Sequence, residues 1–124
     1  MAWREWGNVP VNSSAGLFTN PSTSDLIAEI DSTQLAQVLS GGSLYQVSWL
    51  AGASTNAVWQ FEQASDTTFS TTAIRESATV LTPANQTGQY ILTYKLQKGD
   101  RLRARVQSAF TGFASCKISA EPVT

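Results

Sequence analysis

Gln89–Gln107 reads QYILTYKLQKGDRLRARVQ, two runs of alternating residues on either side of Lys98–Asp100. One side of each run is apolar or aromatic: Tyr90, Leu92, Tyr94 and Leu96, then Leu102, Ala104 and Val106. Because a β-strand turns successive side chains to opposite faces, each run predicts a strand with one buried face. Gly99 accepts the positive φ of a tight turn, and Asp100 suits a turn position. The stretch therefore predicts a hairpin and an antiparallel sheet.

Similar patterns predict further strands along the rest of the chain. They are Leu26–Asp31, Leu44–Ala53, Val58–Gln63, the end of Ala73–Thr82, and Phe113–Ala120. Ser32–Gly42 has apolar residues at helical spacing, and either a short helix or a looped connection fits it. About seven or eight short strands with turns every ~8–12 residues are typical of a β-sandwich. The predicted fold class is all-β, an antiparallel β-sandwich.

The composition indicates a single domain with few charges. A chain of 124 residues suits one domain, since domains most often hold about 100–150 residues. Charged residues make up 14% and the formal net charge is −1, so no overall field attracts nucleic acid or an anionic membrane. No apolar run is long enough to span a bilayer, and the N-terminus lacks the pattern of a secretory signal. We expect neither a nucleic-acid nor a membrane partner.

Met1–Ser24 predicts an irregular N-terminal arm ahead of a domain that spans residues 25–124. Its prolines and glycines break any regular pattern, yet it carries Trp3 and Trp6, which a merely disordered tail would lack. Two interpretations stay open. The arm folds over its own domain, or it docks on a partner through the two tryptophans, a residue type enriched in binding hot spots.

The closing part of the chain resembles a known superfamily. Tyr94–Val106, YKLQKGDRLRARV, followed by FASCKISAE at Phe113–Glu121, is similar to the end of the trimeric jelly-roll superfamily of tumour-necrosis factors and complement-type globular heads. The whole layout, with a Trp-rich arm and no histidine, also resembles small decoration proteins of tailed-phage heads. These resemblances imply a jelly-roll fold and a homotrimer.

A trimer would need apolar surface beyond what one core uses. Aromatic residues of the predicted strands are the candidates for a surface shared between core and subunit interface: Tyr45, Trp49, Trp59, Phe61, Tyr90 and Tyr94. Obligate oligomers bury large apolar areas that resemble a core cut in half. The alternative is that all of these residues fill the core of one domain.

Five of the eight basic residues lie within Lys95–Arg105. Arg101, Arg103 and Arg105 share one face of their strand. Because the guanidinium group pairs bidentately with carboxylates, this face could contact an acidic protein surface, within the oligomer or on a shell. Water and nucleic acid are the alternatives, the latter disfavoured by the near-neutral charge. We predict partner binding by these arginines.

No combination of residues indicates catalysis, a metal or a cofactor. Glu29 and Asp31 share one face of a predicted strand, where two carboxylates could serve glycoside hydrolysis, but no sugar-cleaving cleft is indicated. With no histidine and a single cysteine, we expect no zinc site. Cys116 lies in a strand-like run, and we expect a small buried apolar residue rather than a reactive thiol.

These features together predict a non-enzymatic structural protein. We expect a trimeric phage-head decoration or minor capsid protein, assembled in the host cytoplasm, which binds the major capsid protein or another virion protein on the capsid exterior and stabilises the shell. The alternative is a carbohydrate- or receptor-binding module of a viral fibre or tail, with Gly52–Asn56, Ala64–Thr72 and Pro83–Gly88 as binding loops. Only Phe69 in these loops is aromatic, which counts against stacking on sugars.

Overall fold

The described part of the chain contains eight β-strands. The structure, a computed structural model, describes residues 12–22, 25–31, 42–65, 74–97 and 99–123. The strands are β1 (Asn12–Thr19), β2 (Ala28–Asp31), β3 (Ser43–Ala53), β4 (Ala57–Ala64), β5 (Ile74–Thr82), β6 (Gln86–Leu96), β7 (Arg101–Val106) and β8 (Phe113–Pro122). The predicted helix or loop at Ser32–Gly42 lies outside these residues except for Gly42.

The strands form two four-stranded sheets that pack face to face. The first sheet has the order β1-β8-β3-β6 and the second has the order β2-β7-β4-β5. All neighbouring strands are antiparallel. Except for β4 and β5, strands that follow one another in the chain lie in opposite sheets, which is the connectivity of a jelly roll. The predicted all-β jelly-roll sandwich is confirmed.

The corner at Gly99 and Asp100 lies between two strands that are not neighbours. β6 pairs with β3 in the first sheet, whereas β7 lies between β2 and β4 in the second. The predicted hairpin at Gln89–Gln107 is therefore wrong, because the chain crosses between the sheets at this corner. The predicted faces are right: Leu96 and Leu102, on either side of the corner, both point into the core. Gly99 has a φ of +97°, as the tight turn requires.

Asp100 holds this corner against the second sheet. Its carboxylate accepts hydrogen bonds from the backbone N–H of Gln97, at 3.0 Å, and from Nε2 of Gln63 in β4, at 2.9 Å. Nε of Arg75 in β5 donates to the same carboxylate at 3.2 Å. The Gln63 amide also donates to the carbonyl of Lys95 in β6, at 2.7 Å. The corner thus bonds to strands of both sheets and bridges the two layers.

The first strand corrects the predicted irregular arm. Asn12–Thr19 pairs with β8 along its whole length, from Asn12 opposite Ala120 to Thr19 opposite Phe113. The first sheet therefore begins well inside Met1–Ser24, the segment predicted to be irregular. Trp3 and Trp6 lie outside the described residues, and their contact with a partner stays a prediction.

Aromatic side chains dominate the core between the sheets. The indole of Trp49 stacks on the ring of Phe61 with the centroids 4.5 Å apart, and Tyr94 meets Trp49 edge-on at 6.2 Å. Such pairs stabilise a fold by about 0.5–1.5 kcal/mol each beyond the area they bury. Trp59 is also fully buried, and its Nε1 donates a hydrogen bond to Oγ1 of Thr82 at 3.0 Å.

These positions cannot form the predicted trimer interface. Five of the six predicted interface residues are buried within one chain, namely Tyr45, Trp49, Trp59, Phe61 and Tyr94. The remaining one, Tyr90, packs against the same core. The physical reason is the strand alternation itself, which turns all of them to the inner side of the sandwich. A second subunit would have to open the sandwich to contact them.

Burial raises the pKa of three core groups, one of which is the Tyr45 hydroxyl, whose pKa lies above its usual 10.0. The Cys116 thiol and the Tyr94 hydroxyl are the other two. Burial raises the pKa of the Cys116 thiol from 9.0 to about 12. It also raises the pKa of the Tyr94 hydroxyl from 10.0 to about 12. Cys116 is a free, buried thiol, as the sequence predicted.

We expect the fold to lose stability in alkaline solution. The unfolded chain releases the thiol proton near pH 9.0, whereas the folded chain holds it to about pH 12. The folded state therefore binds more protons over this range, and the free energy of unfolding falls as the pH rises. In Cys116→Ala the loss should begin near pH 10.0, where Tyr94 starts to contribute. Urea unfolding at a series of pH values measures the pH at which stability begins to fall in the wild type and in Cys116→Ala. If that pH is the same in both, the loss is not due to the Cys116 thiol.

Candidate functional site

The outer face of the second sheet carries paired charges. Arg101 on β7 lies beside two carboxylates of β2, with Nη1 3.3 Å from Glu29 Oε1 and Nη2 3.3 Å from Asp31 Oδ2. The carboxylates considered for glycoside hydrolysis are thus both engaged by one guanidinium group. In a catalytic pair the two carboxyl groups would instead lie on either side of the scissile bond.

The other two arginines share a third carboxylate, that of Glu62 on β4. Arg103 Nη2 lies 3.7 Å from Glu62 Oε1, and Arg105 Nη2 lies 3.3 Å from Glu62 Oε2. The side chain of Arg103 is 0% exposed and that of Glu62 is 1% exposed. Full burial removes Arg103 from the predicted partner-binding surface. Arg101 and Arg105 are 24% and 21% exposed and pair with carboxylates of their own chain, and their contact with a partner stays a prediction.

An open cleft of about 310 Å³ lies at one end of the first sheet, where three turns meet. Small-molecule sites typically have volumes of about 300–1,000 Å³, so this cleft is at the small end of that range. Small, polar and aromatic residues line it: Gly52, Ala53, Ser54, Asn85, Gln86, Thr87, Phe113 and Ser115.

Gly52 forms the floor of the cleft. In the sheet register Gly52 lies between Ser115 of β8 and Thr87 of β6, so two hydroxyl-bearing residues flank a position without a side chain. A Cβ atom at Gly52 would lie 2.9 Å from the carbonyl oxygen of Gln86 and 3.0 Å from Oγ1 of Thr87. A larger residue at this position would therefore strain the sheet and fill the floor.

Phe113 supplies an exposed aromatic ring at the rim. Its side chain is among the exposed large apolar groups, at 55%. Its backbone is held by Ser54, whose N–H donates to the Phe113 carbonyl at 2.9 Å and whose Oγ accepts from the Phe113 N–H at 2.8 Å. Asn20 makes a similar exchange with the preceding Gly112, at 2.8 and 3.0 Å. Four hydrogen bonds thus hold the backbone of the rim in place.

Two of the loops predicted to bind sugars meet on the opposite rim. The Asn85 N–H donates to the Ala53 carbonyl at 2.8 Å, and the Ala84 N–H donates to Oδ1 of Asn56 at 2.8 Å. Gly52–Asn56 and Pro83–Gly88 are therefore adjacent, although β6 begins at Gln86 and the second loop is shorter than predicted. Most of Ala64–Thr72, including Phe69, lies outside the described residues.

The sequence interpretation missed Phe113 and Ser115. Both were assigned to the last strand, where alternation places Phe113 and Ser115 on the face opposite Ala114 and Cys116. That pattern could have identified an aromatic residue on the solvent side of the sheet. It could not have shown that this residue lies beside two loops that are distant in sequence.

The described residues show neither a metal site nor a membrane span. Within residues 12–22, 25–31, 42–65, 74–97 and 99–123, no three His, Cys, Asp or Glu side chains are close enough to hold a metal ion together. In the same part of the chain no helix has the length and apolar character needed to cross a bilayer.

Comparison with known proteins identifies the fold. No family model and no curated sequence relative matches the chain. A solved CBM4 carbohydrate-binding module matches with a TM-score of 0.61 and 14% identity, over 94% of this chain and 79% of that one. The CBM22-1–GH10 modules of Clostridium thermocellum xylanase 10B, solved with xylohexaose, match with a TM-score of 0.60 and 16% identity, over 92% and 25%.

A third match is the CBM22-1 xylan-binding domain of Paenibacillus barcinonensis Xyn10C. Its TM-score is 0.55 and its identity 9%, over 92% of this chain and 86% of that one. At these identities the likeness concerns the path of the chain and not the residues of a site. The protein therefore has the jelly-roll β-sandwich fold that is also found in carbohydrate-binding modules.

Proposed function

We propose that the protein is a non-catalytic carbohydrate-binding module whose site is the cleft above Gly52. The observation that carries this proposal is the exposed ring of Phe113 beside a floor flanked by hydroxyl groups. The alternative function predicted from the sequence, a carbohydrate-binding β-sandwich, thus replaces capsid decoration as the favoured one.

The chemistry of the cleft suits a sugar ring. A pyranose has an apolar face of C–H groups and a perimeter of hydroxyls. The C–H face can pack on the Phe113 ring, while Ser115 and Thr87 offer hydroxyls and Asn85 offers an amide for hydrogen bonds. Because hydrogen bonds already hold the rim in place, little ordering entropy is lost on binding.

The fold matches support the choice of ligand class. One matching chain was solved with xylohexaose and another is a xylan-binding domain. A β-1,4-linked polysaccharide is therefore the first ligand class to examine. A cleft of about 310 Å³ would hold a short part of such a chain, and its open ends would let the rest of the polymer extend into solvent.

A binding role without catalysis agrees with the position of the acidic residues. None of the described residues that line the cleft carries a carboxyl group. The carboxylates of Glu29, Asp31 and Glu62 lie on the other sheet and pair with arginines. Glycoside hydrolysis ordinarily needs two carboxyl groups on either side of the scissile bond, so we propose that a bound sugar is not cleaved here.

Capsid decoration and a phage origin stay predictions. They rest on a resemblance of layout and on Trp3 and Trp6, which the structure does not describe. A fibre or tail module that binds a glycan would combine a viral origin with the proposed cleft.

Replacing Phe113 with alanine is expected to weaken glycan binding by at least about tenfold, which corresponds to ~1.4 kcal/mol and is modest for an aromatic hot spot. Leu81→Ala is the matched control, because Leu81 is 63% exposed on the other sheet, and it should leave the affinity unchanged. Isothermal titration with xylohexaose, after a glycan-array screen, measures both. Absence of binding to any glycan, or an equal loss in the two variants, would overturn the proposal.

A further inference from the structure

The outer face of the first sheet is unusually apolar for a surface exposed to solvent. Of the seven large apolar side chains that are exposed in the described residues, all but Leu81 lie on or beside this face. The six are Leu17 at 70%, Leu44 at 51%, Leu50 at 40%, Ile91 at 56%, Phe113 at 55% and Val123 at 46%. Contiguous exposed apolar surface commonly marks an interaction site.

The register shows how these residues are arranged. Leu50 has Lys117 of β8 on one side and Gln89 of β6 on the other. The next row toward the middle of the face contains Ser119, Ser48 and Ile91. The apolar residues thus lie on β3 (Leu44 and Leu50), on β6 (Ile91) and on β1 (Leu17), while the charged groups are Lys117 and Glu121 on β8 and Lys95 on β6.

We propose that this face binds a second copy of the same chain in a two-fold symmetric dimer. The charges on β8 carry the choice of partner. Lys117 and Glu121 lie two positions on either side of Ser119, and both point outward. The two-fold axis would lie in the plane between the apposed faces of the two copies and run along the Ser119–Ser48–Ile91 row. It places Lys117 of each copy opposite Glu121 of the other. A single face thus complements itself, as an isologous interface requires.

The same axis pairs one apolar residue of the face with its own copy and places Leu50 of each copy opposite Gln46 of the other. Ile91 lies on the axial row, so the Ile91 side chains of the two copies meet each other. Sheets that pack face to face lie about 10 Å apart with strand directions within about 30°, and their twist makes the ends of the two faces diverge. The central rows therefore pack most closely.

The face is large enough for a specific interface. Neighbouring strands lie about 4.8 Å apart and a strand rises about 3.4 Å per residue. The projected area of the four strands, from the row of Leu44 to the row of Gly52, is therefore about 500 Å². The accessible area is greater, because side chains corrugate the surface. Specific interfaces bury at least about 600 Å² on each partner, so we expect a dimer that dissociates in the micromolar range or above.

This proposal does not depend on the proposed glycan site. The cleft lies at the Gly52 end of the same face, so a bound glycan and a second copy would compete where they overlap. The dimer also differs from the trimer expected from the sequence, because it uses the outward residues of the strands whose inward aromatics form the core.

Sedimentation velocity of the full chain, from low micromolar to near-millimolar concentration, tests the dimer. The wild type is expected to shift from 13.3 kDa toward twice that mass. Ile91→Glu should abolish the shift, because two glutamates would face each other on the axial row. Leu81→Glu is the control on the opposite side of the molecule and should associate like the wild type. Circular dichroism checks that both variants are folded.

Charge exchange tests the two-fold arrangement itself. Lys117→Glu alone and Glu121→Lys alone should each weaken association by about tenfold, since each places like charges opposite one another. The double variant exchanges both charges and should restore association to near the wild-type level. A wild type that remains monomeric, a trimeric mass, equal effects of Ile91→Glu and Leu81→Glu, or a double variant that associates no better than either single variant would overturn the proposal.

Discussion

Glu62→Gln is expected to lower the free energy of unfolding by about 3–5 kcal/mol, the usual cost of removing one partner of a buried ion pair. Glutamine keeps the shape of the side chain but removes the charge that faces Arg103 and Arg105. Because the Arg103 side chain is fully buried, water cannot replace the lost carboxylate. Urea unfolding followed by the fluorescence of the buried tryptophans measures the change.

Glu29→Gln is the matched control for this experiment. Glu29 also pairs with an arginine of β7, but its side chain and that of Arg101 are each about a quarter exposed, at 25% and 24%. Solvent screens such pairs, so we expect a loss below about 1 kcal/mol. Equal losses in the free energy of unfolding for Glu29→Gln and Glu62→Gln would show that burial does not increase the contribution of the Glu62 ion pairs to stability.

Asp100→Ala is expected to cost about 2–4 kcal/mol. The substitution removes a carboxylate that accepts three hydrogen bonds, two of them from Gln97 and Gln63 at 3.0 and 2.9 Å. Each such bond contributes about 0.5–1.5 kcal/mol, and the buried amide of Gln63 loses one of its two acceptors. Urea unfolding at neutral pH measures the loss.

Asp100→Asn separates hydrogen bonding from charge. An asparagine oxygen at the position of Oδ2 can still accept from Gln97 and Gln63, so only the pair with Arg75 is lost. The Arg75 side chain is 43% exposed, and a screened pair of this kind contributes at most about 1 kcal/mol. An Asp100→Ala variant as stable as Asp100→Asn would mean that the corner does not depend on these bonds.

Asp100 and the two strands on either side of it show what local sequence patterns can and cannot predict. Alternation in Tyr90–Leu96 and Arg101–Val106 correctly predicted which side chains point inward. The partners of those strands were not predictable from it, because a Gly-Asp turn suits a hairpin and a crossing between sheets equally well. The choice is made by Asp100 bonding to Gln63, a residue far away in the sequence.

The arginines of β7 illustrate the same limit. Their shared face was evident from the spacing of Arg101, Arg103 and Arg105, but the pattern could not show what covers that face. The register places Glu29 and Glu62 on either side of Arg103, so the charges are neutralised within the sheet. The carboxylates were expected on a partner, whereas those that the structure shows beside these arginines belong to the same chain.

Edge strands and composite clefts are the hardest features to predict. Asn12–Thr19, NSSAGLFT, has small and polar residues without clear alternation, and it becomes a strand because β8 offers a free edge. The cleft forms from three turns that only the jelly-roll connectivity brings together. Two of its loops were nevertheless proposed from their polar turn residues, and Phe113 adds the aromatic group that those loops lack.

The most direct test of the account is a map of the glycan site by nuclear magnetic resonance. Backbone amide shifts of the labelled chain would be followed during titration with xylohexaose or with the best ligand from the glycan array. We expect the largest changes at Gly52, Thr87, Phe113 and Ser115, with little change along Arg101–Val106. Changes centred on Arg101–Val106, or none at the cleft, would contradict it.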